Sequence, residues 1–273
     1  MSKIYSCILK SLIILLFILT GFTESIYASN GKILIILPAA NTLTTKEGTK
    51  HPTDYFLSEL VTPAMILAEK GFEFDVATPN GVSPTVDVSS DKVRWFKNET
   101  EYAQANTFLK SLNGIQKPIP LSQVKKSLNQ YVGLFIPGGH AAMEDLPKNS
   151  DLGDILKFFN SNHRPTALIC HGPAALLSAR NENGNWIYKG YSLTVFSTEE
   201  EKIKEQSGSL GGHVLFYVED EMRQLGGKLS VASPWQSHVV VDRELVTGQN
   251  PMSDRELASA FIELLLKDKS EKK

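Results

Sequence analysis

One short stretch, residues 164–179 with the sequence RPTALICHGPAALLSA, constrains the fold of this chain more than any other. Its apolar run from Ala167 to Ile169 is followed at once by Cys170-His171 and Gly172-Pro173, after which alanine and leucine recur with helical spacing. A strand that turns sharply into a helix at a nucleophilic residue forms a strained elbow, which presents the side chain at the bend. The pattern therefore predicts a nucleophile elbow with Cys170 as the nucleophile.

The alternative is that Cys170 is a small buried hydrophobe, which is the commoner role of an isolated cysteine. Three features favour the nucleophile: the adjacent His171, the Gly-Pro pair that forces the bend, and the presence of only two cysteines, Cys7 and Cys170, in the chain. A thiol at a helix N-terminus beside an imidazole is expected to have a lowered pKa. We therefore expect Cys170 to be partly thiolate at neutral pH, with His171 as its base or partner.

Apolar runs typical of buried strands alternate with amphipathic segments along the rest of the chain. The clearest strands are predicted at 31–37, 72–78 and 132–136, with a further strand at 191–196, and the clearest helices are predicted at 52–70 and 253–266. This alternation predicts a doubly wound, flavodoxin-like α/β fold in which helices sandwich a mostly parallel sheet. We predict one domain over residues 29–273, with an insertion at about 82–130.

The first 28 residues have the layout of a secretory signal peptide. Lys3 and Lys10 precede an uncharged apolar run over residues 12–19, and Ala28 closes a small-residue cleavage site. That run is well short of the roughly 20 apolar residues that a membrane-spanning helix needs. The sequence thus predicts a periplasmic or secreted protein that does not associate with the membrane after cleavage and whose only cysteine is Cys170.

Composition and spacing argue against two classes of partner. The formal net charge is -2 and no basic run is present, so nucleic acid is not an expected partner. The six histidines show no metal-type pairing such as HxxxH. We therefore predict neither a metal site nor a cofactor.

Loops at the carboxyl ends of neighbouring parallel strands meet at one edge of such a sheet, where they would bring further groups to Cys170. One loop carries Gly138, Gly139 and His140. The Gly139 amide is a candidate to pair with the His171 amide as an oxyanion hole, with Gly138 and His140 beside it in substrate binding. For Gly138 an ordinary tight turn is an equally good interpretation.

Two sets of carboxylates are candidates for proton chemistry. Glu59 lies on the first predicted helix; facing inward, it would have a raised pKa and make a proton shuttle, whereas an exposed glutamate would have no such role. The acid that orients His171 is expected in the run Glu199-Glu200-Glu201. The residues alone do not choose among these three.

In combination, the segments FIPGGH, ALICHGPAAL, YSLTVFSTEEE and LVTGQNP resemble the ThiJ/PfpI superfamily, whose fold is class I glutamine-amidotransferase-like. The resemblance runs from about Lys32 to Leu266 and is greatest for the bacterial heat-shock chaperone and glyoxalase III branch. The site it implies consists of the nucleophile Cys170, its partner His171, Glu59 in contact with the thiol, the acid Glu201, and the oxyanion amides of Gly139 and His171.

The resemblance also implies an activity: cofactor-free, glutathione-independent conversion of methylglyoxal to lactate through a hemithioacetal on Cys170, which is a lyase reaction of the glyoxalase III type. A stress holdase chaperone of the cell envelope and a Cys-His-Glu peptidase or amidohydrolase are the alternatives. Members of the family commonly dimerise, so a homodimer is expected. The metal-binding histidine of the chaperone branch falls at Ala68 here, so that metal site is expected to be absent.

Overall fold

The computed structural model describes residues 29–271, which form a seven-stranded sheet with helices on both faces. The strands are β1 (Gly31–Ile36), β2 (Thr42–Thr44), β3 (Lys50–Pro52), β4 (Phe72–Thr78), β5 (Ile119–Pro120), β6 (Tyr131–Ile136), β7 (Thr166–Ile169), β8 (Ser192–Leu193), β9 (Lys228–Leu229), β10 (Val239–Asp242) and β11 (Leu245–Gly248). The helices are α1 (Leu57–Glu69), α2 (Glu99–Ser111), α3 (Leu121–Val124), α4 (Ala142–Asp145), α5 (Ser150–Ser161), α6 (Thr198–Gln206), α7 (Val218–Gln224) and α8 (Asp254–Glu271). Short 3₁₀ helices span Val93–Trp95, Leu128–Gln130, Gly172–Ser178 and Pro251–Ser253. The predicted signal peptide lies outside the described residues, and within them no helix is long and apolar enough to cross a membrane.

The strand order of the main sheet is β10-β11-β7-β6-β1-β4-β5. All neighbours are parallel except β10 and β11, which form an antiparallel hairpin at one edge. From β1 the chain adds strands first on one side and then on the other, so the order reverses between β1 and β6. Loops diverge at such a switch point and leave a crevice at the carboxyl ends of the strands. The doubly wound α/β prediction is confirmed.

The continuous apolar run of β1 is explained by burial on both faces of the sheet. Ile33 and Ile35 belong to one core with α1 and α8, whereas Leu34 and Ile36 belong to the opposite core with α5. All four side chains are fully buried, as expected for a central parallel strand with alternating side-chain directions. Strand β1 is therefore a central strand of the sheet, and the loops that border the crevice begin at the carboxyl ends of β1 and its neighbours.

Two local predictions are wrong. The elbow continues as the 3₁₀ helix Gly172–Ser178 and not as an α-helix, and the strand expected at 191–196 is reduced to the two residues of β8, which pair with β9 outside the main sheet. The rest of the predicted strand forms hydrogen bonds with other segments instead of a strand ladder. The Thr194 amide donates to the Thr247 hydroxyl, and the Phe196 amide donates to the carbonyl of Cys170. The segment 82–130 supplies the edge strand β5 and helix α2, which packs against α1.

Candidate active site

The backbone bends sharply at Cys170, directly after β7. Its φ of +60° lies in the left-handed region, which is strained for a residue with a side chain. Two hydrogen bonds hold the bend: the Cys170 amide donates to the carbonyl of Gly248 at 2.9 Å, and the carbonyl of Cys170 accepts from the Phe196 amide at 2.9 Å. The strained elbow that the sequence predicts is therefore present, and tertiary contacts on both sides maintain it.

Cys170, His171 and Glu201 form a hydrogen-bonded row. The Cys170 Sγ lies 3.3 Å from His171 Nδ1, and His171 Nε2 lies 2.6 Å from Glu201 Oε2. The choice among the three glutamates follows from α6, because consecutive helical residues point in different directions. Glu199 is exposed and Glu200 closes the capping box with Ser197, which leaves Glu201 facing the imidazole.

Glu201 forms hydrogen bonds with two histidines, because its second oxygen, Oε1, lies 2.9 Å from His140 Nε2. An ionised carboxylate only accepts hydrogen bonds, so both imidazoles carry their proton on Nε2. Burial opposes ionisation of Glu201, but the nearby histidines hold its pKa well below the usual range. Burial, followed by the neighbouring His140, lowers the pKa of His171 to about 4. His171 is therefore neutral at pH 7, and its Nδ1 presents a lone pair to the Cys170 thiol.

Glu59 faces inward from α1, as the sequence interpretation requires, and is completely buried. Its Oε2 accepts a hydrogen bond from the Gly138 amide at 3.0 Å, while its Oε1 is buried and has no hydrogen-bond partner among residues 29–271. Burial raises the pKa of Glu59 to about 8, so the side chain is a neutral carboxylic acid at pH 7. Glu59 and Cys170 each influence the pKa of the other, and Glu59 Oε2 and Cys170 Cβ border the same space beside Gly138, so the acid lies next to the thiol.

The expectation of a lowered thiol pKa is wrong. Cys170 is only 3% exposed, and burial raises its pKa, with a further contribution from Glu59 that outweighs the opposing hydrogen bond from the His171 amide. The local sequence signalled a helix N-terminus and a histidine but gave no measure of burial, which is a tertiary property. In the free protein Cys170 is thus a thiol that needs a base, and His171 is placed to be that base.

Positions 138 and 139 require glycine because neighbouring atoms lie too close to leave room for a Cβ. A Cβ on Gly138 would lie 2.6 Å from Glu59 Oε2 and 2.7 Å from Cys170 Cβ, and this favours a role in the site over an ordinary turn. Gly139 has a φ of +109°, and its Cβ would lie 2.0 Å from the carbonyl oxygen of Asp54. Within residues 29–271 the Gly139 amide donates no hydrogen bond, and Gly139 lines the cavity beside Cys170. Its N–H is therefore available to a substrate oxygen.

Gly139→Ala is expected to lower the free energy of unfolding by about 3 kcal/mol or more, because left-handed strain and a clash with fixed backbone act together. Chemical denaturation measures the loss. Gly184→Ala is the matched control, since Gly184 also has a positive φ, +76°, but nothing lies within 4 Å of its Cβ position. The control is expected to lose about 1 kcal/mol. Equal losses in the two variants would contradict the close-approach argument.

A cavity of about 60 Å³ opens onto Cys170, His171, His140 and Gly139. Roughly 10–15 Å³ of such space is enough for one water, so the cavity has room for a ligand of only a handful of non-hydrogen atoms. Its remaining wall is mainly aromatic, from Phe56, Trp95, Phe196 and Trp235, and it also carries the cations Arg94 and Lys204 and the acid Asp87. Sequence reasoning missed these residues because they come from separate segments with no motif in common.

The two histidines and the shared acid also form the one group of three possible metal ligands among residues 29–271. One ligand atom from each of His140, His171 and Glu201 lies within 4.8 Å of the others. Imidazole and carboxylate are suitable donors for zinc and related ions. The spacing of residues along the sequence could not predict this set, because its members come from three separate segments. His140 follows β6, His171 follows β7, and Glu201 lies on α6. The hydrogen bonds described above already explain the arrangement without an ion.

A Cys-His-Glu set at the elbow of a doubly wound sheet is the arrangement of an α/β protein with a candidate thiol nucleophile. The profile of the DJ-1/PfpI family matches residues 53–264, most of the chain, and the protein belongs to this family. The resemblance found in the sequence is thereby confirmed.

The chain is similar to the protein/nucleic acid deglycase HchA of Escherichia coli O157:H7, with 29% identity over 243 residues that cover 88% of this chain and 83% of the relative. It is equally similar to protein/nucleic acid deglycase 1 of E. coli K12, again at 29% identity with 88% and 83% coverage. Among solved structures it is similar to the 24 kDa rapid encystment protein of Francisella tularensis, with a TM-score of 0.73, 28% identity, and coverage of 86% of this chain and 99% of that one. Glyoxalase III of Candida albicans shares the fold, with a TM-score of 0.71, 23% identity, and coverage of 86% and 97%.

Proposed function

We propose that this protein is a cofactor-free, glutathione-independent enzyme of the glyoxalase III type, which converts methylglyoxal and related dicarbonyls into hydroxy acids. The observation that carries the proposal is the flanking of the Cys170 thiol by a neutral imidazole base on one side and a protonated carboxylic acid, Glu59, on the other. The likeness to deglycases and the fold shared with glyoxalase III support it.

The first step is addition of the thiol to the aldehyde carbon. His171 Nδ1, 3.3 Å from Sγ, takes the thiol proton, and the new S–C bond forms as the carbonyl electron pair moves to oxygen. The amides of Gly139 and His171 are the donors for this oxygen. The oxygen then takes up a proton from the imidazolium or from Glu59. The product is a neutral hemithioacetal on Cys170.

The second step moves hydrogen between the two adjacent carbons. The group that has just given its proton to the oxygen, Glu59 or His171, is now the free base: it removes the proton from the carbon bound to sulfur and returns it to the adjacent ketone carbon, through an enediol. The first carbon is oxidised and the second reduced, so no external redox partner is needed. The result is a thioester of lactate on Cys170. Water then hydrolyses the thioester, releasing lactate and restoring the thiol.

The size of the cavity favours free dicarbonyls over larger substrates. A volume of about 60 Å³ suits methylglyoxal, whereas a peptide segment needs an open groove on both sides of the scissile bond. The peptidase alternative therefore has less support than the glyoxalase. A holdase would use exposed apolar surface and would not need the strained elbow or the buried acid.

Formation of lactate from methylglyoxal by the reduced protein spanning residues 29–273, without glutathione, tests the proposal directly. Release of lactate in step with loss of methylglyoxal is the expected result. A folded, reduced protein that consumes no methylglyoxal would contradict it. Loss of methylglyoxal without lactate would indicate adduct formation alone.

The pH profile of kcat/KM reports the essential groups of the free enzyme. His171 must be neutral, so activity is expected to fall as the pH drops towards about 4, and Glu59 must be protonated, so activity is expected to fall as the pH rises through about 8. In Glu59→Gln the alkaline fall should disappear along with most of the activity. Activity that continues to rise above pH 8 would instead show that ionisation of the thiol limits the rate.

Two further features of the protein are proposed from the sequence and the family. Cleavage of residues 1–28 would deliver the mature chain to the periplasm or the exterior, and N-terminal sequencing of the secreted form tests this. A homodimer is expected because members of the family commonly dimerise, and analytical ultracentrifugation of the mature chain measures its oligomeric state.

A further inference from the structure

Two positively charged side chains line the catalytic cavity, and the proposed chemistry uses neither. Lys204, in the last turn of α6, is half-buried and lines the cavity with Cys170 and His171. Its charge lies close enough to His171 to contribute to the lowered pKa of that imidazole, after burial and His140. Within residues 29–271 the Lys204 ammonium forms no ion pair. The Lys204 ammonium is therefore free to pair with an anion that enters the cavity.

Arg94 is the second cation, and it approaches the cavity from the segment that precedes α2. Its guanidinium lies over the ring of Trp95, 5.0 Å from the ring centroid, and it too forms no ion pair among the described residues. Stacking of this kind restrains a guanidinium while leaving its N–H donors free to bind a ligand. Arg94 and Lys204 come from opposite parts of the chain and both line the same small space.

Asp87 is the carboxylate that lines the cavity, and neither it nor the nearby Glu201 and Glu59 forms an ion pair with Lys204 or Arg94 among residues 29–271. Asp87 accepts from the Thr53 hydroxyl at 2.6 Å and from the Ser89 amide at 2.7 Å. Glu201 is engaged by its two histidines, and Glu59 is a neutral acid at pH 7. Within the described part of the chain both cations are therefore free to pair with an anionic ligand.

We propose that the cavity selects α-oxoaldehydes whose far end carries an anionic group, and that Lys204, with Arg94, is the specificity-determining residue that binds this anion. The inference deepens the proposed function and rests on it for the reactive aldehyde end. The aldehyde carbon is attacked by Cys170, while the anion lies towards the cations and replaces part of the water around them. Neutral methylglyoxal would be turned over without this contact and would therefore bind more weakly.

Glyoxylate is the probe for this site, because it has the size of glyoxal with one aldehyde replaced by a carboxylate. Its aldehyde can add to Cys170: the S–C bond forms, and the aldehyde oxygen takes the proton that leaves sulfur. The adduct cannot undergo the hydrogen shift, since the neighbouring carbon is already a carboxylate. Glyoxylate is thus a reversible inhibitor that is competitive with the substrate.

Inhibition of methylglyoxal turnover by glyoxylate is measured in wild type and in three variants. Lys204→Met is expected to raise the ratio of the glyoxylate inhibition constant to the glyoxal KM about tenfold, and Lys204→Arg should retain most of the affinity for glyoxylate. Lys202→Met is the matched control, since Lys202 lies on the same helix but stands over the Tyr217 ring, outside the cavity. Equal effects of Lys204→Met on glyoxal and glyoxylate would overturn the inference.

A second readout separates failure of this inference from failure of the proposed function. Protection of Cys170 from alkylation by iodoacetamide reports binding of glyoxylate without any turnover. If wild type forms no lactate but glyoxylate still protects Cys170, and Lys204→Met loses that protection, the anion site stands and the glyoxalase proposal fails. If wild type turns over methylglyoxal but glyoxylate neither inhibits nor protects, the anion site is disproved and the glyoxalase proposal stands.

Discussion

Cys170→Ala is expected to reduce lactate formation from methylglyoxal on the order of 10⁴-fold or more. Without the sulfur no hemithioacetal forms, and neither the base His171 nor the acid Glu59 has a bound intermediate on which to act. The loss should appear in kcat, because the aromatic walls of the cavity remain in place. Single-turnover kinetics, with mass spectrometry to detect the covalent adduct in wild type, measure the effect.

Folding of the variant is the control for this experiment. Alanine at a φ of +60° carries the same kind of strain as cysteine, so the stability should change by only about 1 kcal/mol. Cys170→Ser is the companion variant, which keeps a polar atom next to His171 but is expected to be as inactive. Suppression of aggregation of a test protein should survive in both variants if the chain is also a holdase. Lactate formation at the wild-type rate in either variant would disprove covalent catalysis by Cys170.

The sequence predicted best what local patterns determine. The unbroken apolar run of β1 and the abrupt change of residue type at Cys170 indicated a buried parallel strand and the elbow, and both are present. A strand that is buried on both faces of a sheet has a continuous apolar sequence, which can be recognised without a structure. The fold and the bend at Cys170 were therefore accessible from the sequence, and the resemblance to a known family selected Glu201 among its neighbours.

What the sequence could not show depends on contacts between distant segments. Glu201 contacts His140 across 61 positions of the chain, and Lys204 and Arg94 line one cavity although they come from separate segments. The thiol pKa was predicted in the wrong direction because its burial results from the packing of several elements around the elbow. Spacing reports neighbours along a helix or strand, but it does not report which loops converge in space.

Glu201→Gln is expected to lower kcat roughly 10³- to 10⁴-fold, because it disturbs the protonation of the base while removing no catalytic atom from the cavity. A glutamine side chain offers one oxygen acceptor and one NH₂ donor where the carboxylate offered two acceptors to His140 and His171. If the NH₂ faces His171 Nε2, that nitrogen must accept, and the proton moves to Nδ1. His171 can then no longer take the proton of the Cys170 thiol, which lies 3.3 Å away.

The two neighbouring glutamates provide the controls that isolate this effect. Glu199→Gln, on the exposed face of α6, should leave both stability and kcat unchanged. Glu200→Gln should mainly lower stability, since the buried Glu200 accepts hydrogen bonds from the Trp235 amide and the Asn250 side chain. Imidazole nitrogen shifts in NMR spectra distinguish the cases: only Glu201→Gln should change the tautomer of His171. A Glu201→Gln enzyme with nearly wild-type kcat would mean that the thiol proton leaves by another route, and Glu59, on the other side of Cys170, is the group next to it.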